Sequence, residues 1–467
     1  MIRFPTPMET LKWRVRLALV ACLSVAAGAC GGTATDTTSA TTGASTTTAA
    51  GTGTTAGEAT TTGGASKEPV TITLWVNREQ YLPLPGYYEA LAADYPNITV
   101  EAELVPDDDL FFQLIRMAEA DEPLPDLVQL DDYFAIPLFD AGLQIPLDDF
   151  VAEWEAEDPE GFAAVSPNAF FTNEEGAIVG ITPVATMDVI YYRSDWLAEA
   201  GVTEPIESWQ GLLEAARALK ATMPDILPFA LPSNRGSGVN WFLSMLAASG
   251  VEFEGSVPQL TSEAGLAVIN FLQTLIREDL TTIESLAWGD DESRGAWIGG
   301  QAAITYDSVR SVNDLGGTLI ESGVEYPDGW STVQSPIKLT DDGEDVGTRL
   351  LGTRTYHITA ASEHPAEAGI ALRYLLKPER AFEMLDASLI PLQREVLESQ
   401  EFTELQPFIP QPQIDAVLTA SQRPADSKFF QVIEVLEQVV QDAFEDREQT
   451  PEALAEKWQA ELDALEG

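Results

Sequence analysis

Two histidines and two cysteines bound most of the covalent chemistry open to this chain. His357 falls in a strand pattern and His364 precedes Pro365, and they form no HxxxH or HExxH pair, so a histidine metal site is not expected. There is no GxSxG elbow, and a Ser/His/Asp triad would have to use one of these two rings. GxGxxG and Walker patterns are also missing, and the glycines at 236 and 238 read as a turn before a helix, not a phosphate cradle. The acidic runs at 107–109 and 341–345 lack the ligand spacing of an EF-hand and read as solvated loops. Carboxylates are numerous enough for a glycosidase-type acid pair, but spacing marks none out. No catalytic residue, metal or cofactor is therefore expected.

A different chemistry is suggested by aromatic residues that stand beside amides and carboxylates. Trp75 and Asn77 end one strand pattern, and Gln129, Asp131 and Tyr133 end another. Thr186 and Asp188 lie where the chain would pass from one lobe to the next, and Asn240 and Trp241 open a helix after a glycine-containing loop. A sugar shows an apolar CH face for stacking and hydroxyls for hydrogen bonds, which suits such a mixture. Each aromatic taken singly reads more readily as core packing. Their shared position, outside the carboxyl ends of strands in an open α/β sheet, is what favours a binding mouth.

The elements that must hold these residues follow from periodicity. Residues 70–76, 98–104 and 125–130 alternate or are β-branched and read as strands. Helices are predicted between and after them, over 87–95, 109–120 (with Asp107 or Asp108 as N-cap) and 133–141. Strands are predicted again at 177–183, 188–193, 302–306 and 355–359. Helices are predicted at 208–221 with Ser208 as N-cap, 241–249, 264–278, 365–376, 379–386, 429–444 and 451–465. Strands alternating with helices of this length predict βαβ units and parallel sheets.

The N-terminus reads as an export signal. Arg3, Lys12, Arg14 and Arg16 precede an apolar run of roughly a dozen residues, short of the ~20 needed to span a bilayer. Ala27, Gly28, Ala29 and Cys30 then resemble a bacterial lipobox, in which Cys30 is lipidated after cleavage. Residues 31–66 are almost all Thr, Ala, Gly and Ser, a composition that predicts a flexible tether. Beyond it, roughly 400 residues exceed what one core usually supports, so two lobes are expected. That region holds no cysteine, hence no disulfide or thiolate nucleophile. With 25 basic residues against 75 acidic ones, a net charge of −50 repels nucleic acid and anionic head groups.

Several blocks, in order, resemble the family 1 extracellular solute-binding proteins, the maltose-binding type of ABC-transporter receptor. They are residues 176–183 (GAIVGITP), 189–201 (VIYYRSDWLAEAG), 207–212 (ESWQGL), 299–305 (GGQAAIT), 388–393 (SLIPLQ) and 450–454 (TPEAL). Arg193 and Ser194 stand where the family has Asn-Lys, and Ile304 where it has Met. The resemblance implies a two-lobed α/β fold of the periplasmic-binding-protein kind (type II), each lobe a mainly parallel sheet flanked by helices. Lobe 1 is expected at 68–184 plus 345–388 and lobe 2 at 185–344 plus 389–467, after a signal at 1–29 and a lipidated tether at 30–67. Carried over residue by residue, the ligand-binding candidates are Trp75, Asn77, Gln129, Asp131, Asp188, Trp241, Asp307, Arg310 and Phe430. Arg310 stands where a stacking tryptophan is usual, which turns the expectation from a long maltodextrin towards a smaller or more polar sugar. The implied role is a non-enzymatic, monomeric receptor, lipid-anchored on the outer face of the cell membrane. It would close on a sugar and deliver it to an ABC permease. Two alternatives stay open: a two-lobed receptor for a non-sugar solute (peptide, polyamine, polyol phosphate or metal chelate), and a secreted carbohydrate-active enzyme.

Overall fold

In the computed structural model, residues 68–105, 110–334, 336, 338–386, 390–424 and 426–466 are described. The signal, Cys30, the tether and the capping residues Asp107 and Asp108 lie outside the described residues.

Fifteen strands follow one another along the described chain. They are β1 Val70–Val76, β2 Ile98–Leu104, β3 Leu127–Asp131, β4 Phe170–Thr172, β5 Ile178–Ile181, β6 Val184–Thr186, β7 Asp188–Tyr192, β8 Leu227–Ala230, β9 Phe253–Glu254, β10 Val257–Pro258, β11 Ala302–Ser308, β12 Ser331–Gln334, β13 Leu350–Ile358, β14 Ile390–Pro391 and β15 Ser421–Gln422. The local signals explain most of them. In β1 the residues Val70, Ile72, Leu74 and Val76 turn inward while the threonines turn out, as a strand covered on one face requires. β3 and β11 are buried on both faces and are central in their sheets.

The larger sheet has nine strands, ordered β14-β6-β13-β3-β1-β2, with β15, β4 and β5 joined at its side. The smaller sheet is β12-β7-β11-β8. The expected mainly parallel pairing is corrected here: both sheets are mixed. β1 runs parallel to β2 and β3, and β11 to β8, as βαβ units require. β13, however, is antiparallel to β3, β5 and β6, and β7 is antiparallel to β11 and β12. The reason is topological. β13 returns from the smaller sheet, so no local βαβ crossover sets its direction. β14 and β15, beyond residue 388, pair with β6 and β13 in the larger sheet.

Two large apolar clusters hold the sheets. One gathers Ile72, Leu74, Tyr356 and Leu372 of the larger sheet's side and runs on through Val189 and Tyr191 of β7, and the other gathers Ile190, Phe242, Leu272 and Leu436. The second is built on the amphipathic helix Glu263–Arg277, capped by Ser262, which packs against Phe429–Glu445 and Pro451–Glu466. Each fully buried Leu or Ile there contributes roughly 1.5–3 kcal/mol of transfer free energy. His357 is likewise structural: its ring bonds the Val179 carbonyl and the Thr355 hydroxyl, both at 2.8 Å, and burial pushes it down to about 4.

The chain passes between the sheets three times: between β6 and β7 at Met187, between β12 and β13, and between β15 and the helix Phe429–Glu445. The second passage is tight. A Cβ on Gly347 would lie 2.2 Å from the Ala248 carbonyl oxygen, so only glycine fits beside the end of the helix Ser237–Ala248.

Candidate ligand-binding cleft

The end of β3, the start of β7, the end of β11 and the first turn of the helix Ser237–Ala248 face one cavity of about 480 Å³. This size is typical of small-molecule sites. Its walls come from both sheets, so side chains from separated stretches of sequence meet there.

Charged groups dominate the lining, and most are already matched. Asp131 ends β3 and is the register partner of Arg354 on β13; their side chains form an ion pair, and the Tyr133 hydroxyl donates to Asp131 at 3.1 Å. Burial works against the charge of Arg354, but Asp131 together with Tyr81, Tyr133 and Asp132 outweighs it, and the guanidinium titrates above its usual range. On the opposite wall Asp307, next to last in β11, accepts a fork from Arg294, Nε at 2.7 Å and Nη2 at 3.2 Å. Arg294 also reaches Asp291 at 2.8 Å. A third pair joins Arg423 to Asp132 at 3.1 Å, with Asp132 itself only 1% exposed. Such forks are geometrically specific as well as strong.

Asp188 is not matched in this way. It opens β7 with no arginine in ion-pair range among the described residues, and its carboxylate accepts the Ser244 hydroxyl at 2.9 Å. Burial pushes its carboxyl up to about 6, against the pull of Ser244 and Arg423. Between these charged groups, the hydroxyls and amides of Thr186, Asn240 and Thr353 and the rings of Tyr81 and Tyr133 complete the surface. Among the described residues no group of His, Asp and Glu is arranged to hold a metal ion.

The family model for bacterial extracellular solute-binding proteins matches residues 77–381. The chain belongs to this family.

Members of the family are extracellular binding proteins, which places the chain outside the cytoplasm. Among the described residues no helix is long and apolar enough to cross a membrane. No curated protein sequence matches the chain. Three solved structures show the same fold. The GacH receptor of Streptomyces glaucescens, solved unliganded and with acarbose, is 19% identical with a TM-score of 0.64, over 85% of this chain and 98% of that one. The cyclic alpha-maltosyl-1,6-maltose binding protein of Arthrobacter globiformis is 18% identical at 0.68, over 85% and 99%. T. maritima MalE3 with maltose is 20% identical at 0.68, over 85% and 99%. The fold is therefore the two-lobed α/β one of maltose-binding-type proteins, with one lobe around each sheet.

Against this solute-binding fold, the candidates from sequence divide. Asp131, Asp188, Trp241 and Asp307 line the cavity. Trp241 forms its floor: it is 2% exposed, and its indole donates to the Pro232 carbonyl at 2.7 Å. Gln129 is fully buried inside the larger sheet, and Trp75 packs with the cluster around Leu110 and Val128. Asn77 is half-buried just past β1 and does not line the cavity. Phe430 stacks on Phe134 at 5.4 Å, tying the helix Phe429–Glu445 to the turn after β3. Arg310 falls in the helical turn after β11, and its side chain lies outside the described residues.

Sequence reasoning missed Tyr81, Arg294, Arg354 and Arg423. Basic residues number only 25 in the chain, yet five arginines line this one cavity, a concentration that the fold creates.

Proposed function

We propose that this chain is the extracytoplasmic receptor of an ABC importer, and that its cleft takes an uncharged sugar of one or a few rings. The observation that carries the reading is the internal pairing of the cleft's charges: Asp131 with Arg354, Asp307 with Arg294, Asp132 with Arg423. A charged solute would have to compete with these pairs. A sugar uses them as they stand, because a paired carboxylate still accepts and a paired guanidinium still donates to hydroxyls. Tyr81 and Tyr133 offer ring faces for the CH side. Solved proteins of the same fold carrying maltose or acarbose support the assignment. The matched charges weigh against polyamines, polyol phosphates and acidic peptides, and a binding-protein family weighs against a hydrolase.

Transport follows from hinge closure. A solute touching both lobes stabilises the closed form by its differential affinity, and the closed form docks on the permease. Lipidation at Cys30 and the threonine-rich tether would keep the receptor beside that permease. Isothermal titration of the purified protein against neutral mono- and disaccharides, with a polyamine and a sugar phosphate alongside, tests the reading. Saturable binding of a neutral sugar is expected. Binding confined to the charged solutes would overturn it.

A further inference from the structure

One guanidinium is linked, directly or through one or two partners, to all three passages of the chain between the lobes. Arg423 lies in the third passage, just after β15. Its Nη1 donates to Asp132 at 3.1 Å and its Nη2 to Asn240 at 3.2 Å, so it holds the turn after β3 in one lobe and the helix Ser237–Ala248 in the other. The second oxygen of Asp132 accepts both the backbone N–H and the hydroxyl of Thr353, at 2.8 and 2.9 Å, on β13, where the second passage enters the larger sheet. One turn beyond Asn240, Ser244 donates to Asp188 at 2.9 Å, at the end of the first passage.

The seat of this guanidinium is shaped for it. A Cβ on Gly352 would come within 3.1 Å of Arg423 Nη2 and 3.2 Å of a Thr186 methyl. Gly352 thus clears the space in which Arg423 rests on β13 beside the first passage. Burial opposes its charge, and Asp132, Asp188, Asp131 and Tyr133 together outweigh that burial. Arg423 also lines the cleft, so the group that joins the passages is itself in reach of a bound solute.

We infer that Arg423 is the positioning residue of the hinge: bridging Asp132 and Asn240, it sets the resting angle between the lobes and couples occupancy of the cleft to closure. The inference rests on reading the cavity as a solute cleft that closes. It concerns the unliganded protein first, and so can fail or stand separately from the choice of sugar.

The region after the tether lacks cysteines, which makes a paired-label experiment direct. In the full chain carrying Cys22→Ser and Cys30→Ser, spin labels at Glu101→Cys and Glu284→Cys report the distance between the lobes by pulsed dipolar spectroscopy. Asn240→Ala removes the bridge to the second lobe, together with the Asn240 amide's bond to the Gly236 carbonyl at 3.0 Å, and leaves the Asp132 pair intact. Gly352→Ala fills the seat and leaves Arg423 in the sequence. Both are expected to shift the mean distance by several ångströms, or to broaden it, with melting temperature little changed. Arg423→Gln should shift the distance likewise but with a lower melting temperature, since it leaves the buried Asp132 carboxylate unpaired, and Arg423→Lys, which keeps charge but loses the fork, should restore the parent distance only in part. A resting distance unchanged in Asn240→Ala and Gly352→Ala would overturn the inference, whatever the sugar panel returns.

Discussion

Asp131 and Arg354 are register partners across the β3–β13 ladder, and their side chains pair at the edge of the cleft. The pair joins a strand from the first stretch of the chain to one that returns after the excursion through the smaller sheet. Removing one member leaves a poorly hydrated charge behind. Arg354→Ala is therefore expected to destabilise the protein by about 3 kcal/mol, read by urea denaturation. Asp131→Asn combined with Arg354→Gln should recover part of that loss, and a double variant no better than the worse single one would contradict the coupling.

Asp188 supplies a pH signature. Its carboxyl is raised to about 6, so between roughly pH 4 and 6 the folded protein keeps a proton that the unfolded chain has released. This group therefore makes stability fall as pH rises through that window. Asp188→Asn removes the fall while keeping an acceptor for Ser244. The variant should gain about 1–3 kcal/mol over the parent at pH 7.5 and nothing at pH 3.5, measured by denaturant titration at both.

Gly347 tests the second passage. An added methyl would meet the Ala248 carbonyl, which is backbone and cannot swing away. Gly347→Ala should cost about 1–3 kcal/mol by thermal or chemical unfolding, and a neutral result would show that the passage yields easily.

Tyr81 offers its ring to the cleft while its backbone carbonyl accepts the Tyr356 hydroxyl at 2.8 Å. Tyr81→Ala keeps that carbonyl and removes the ring. Sugar affinity is expected to drop about tenfold, near the upper range for one aromatic contact, with an unchanged melting temperature. Calorimetry gives the first quantity and differential scanning fluorimetry the second.

Cys30 tests the anchor. Cys30→Ser should move the protein from the membrane fraction to the medium with sugar affinity retained. Recovery of the variant in the membrane would remove lipidation from the proposal.

Local signals made most elements legible. β2 spans the residues 98–104 expected from alternation, and Ser208 caps the helix Trp209–Thr222 by accepting the Gly211 N–H at 2.8 Å. Strand sense was not legible, because β13 takes its direction from a long excursion that no nearby residue encodes. The cleft shows the same divide. Asp131 projects into the cavity because it is the last residue of β3, whereas Gln129, on the same side two residues earlier, is already covered. Reading a whole strand end as cleft lining overlooked how quickly the sheet closes over it. The arginines that match these acids lie far along the chain, Arg354 and Arg423 against Asp131 and Asp132, and pairing at that separation depends on the fold.

Among the described residues, the cationic groups lining the cleft are all arginines, and no lysine joins them. On the proposed reading this bears on chemical durability. The open-chain aldehyde of an aldose condenses with a neutral amine to form a Schiff base, and then rearranges irreversibly. A receptor that concentrated its cargo against a lysine would steadily glycate its own site. With guanidinium groups held protonated by Asp131, Asp132 and Asp307, the cleft offers the aldehyde no amine, so the protein can be filled and emptied repeatedly without being consumed by what it carries.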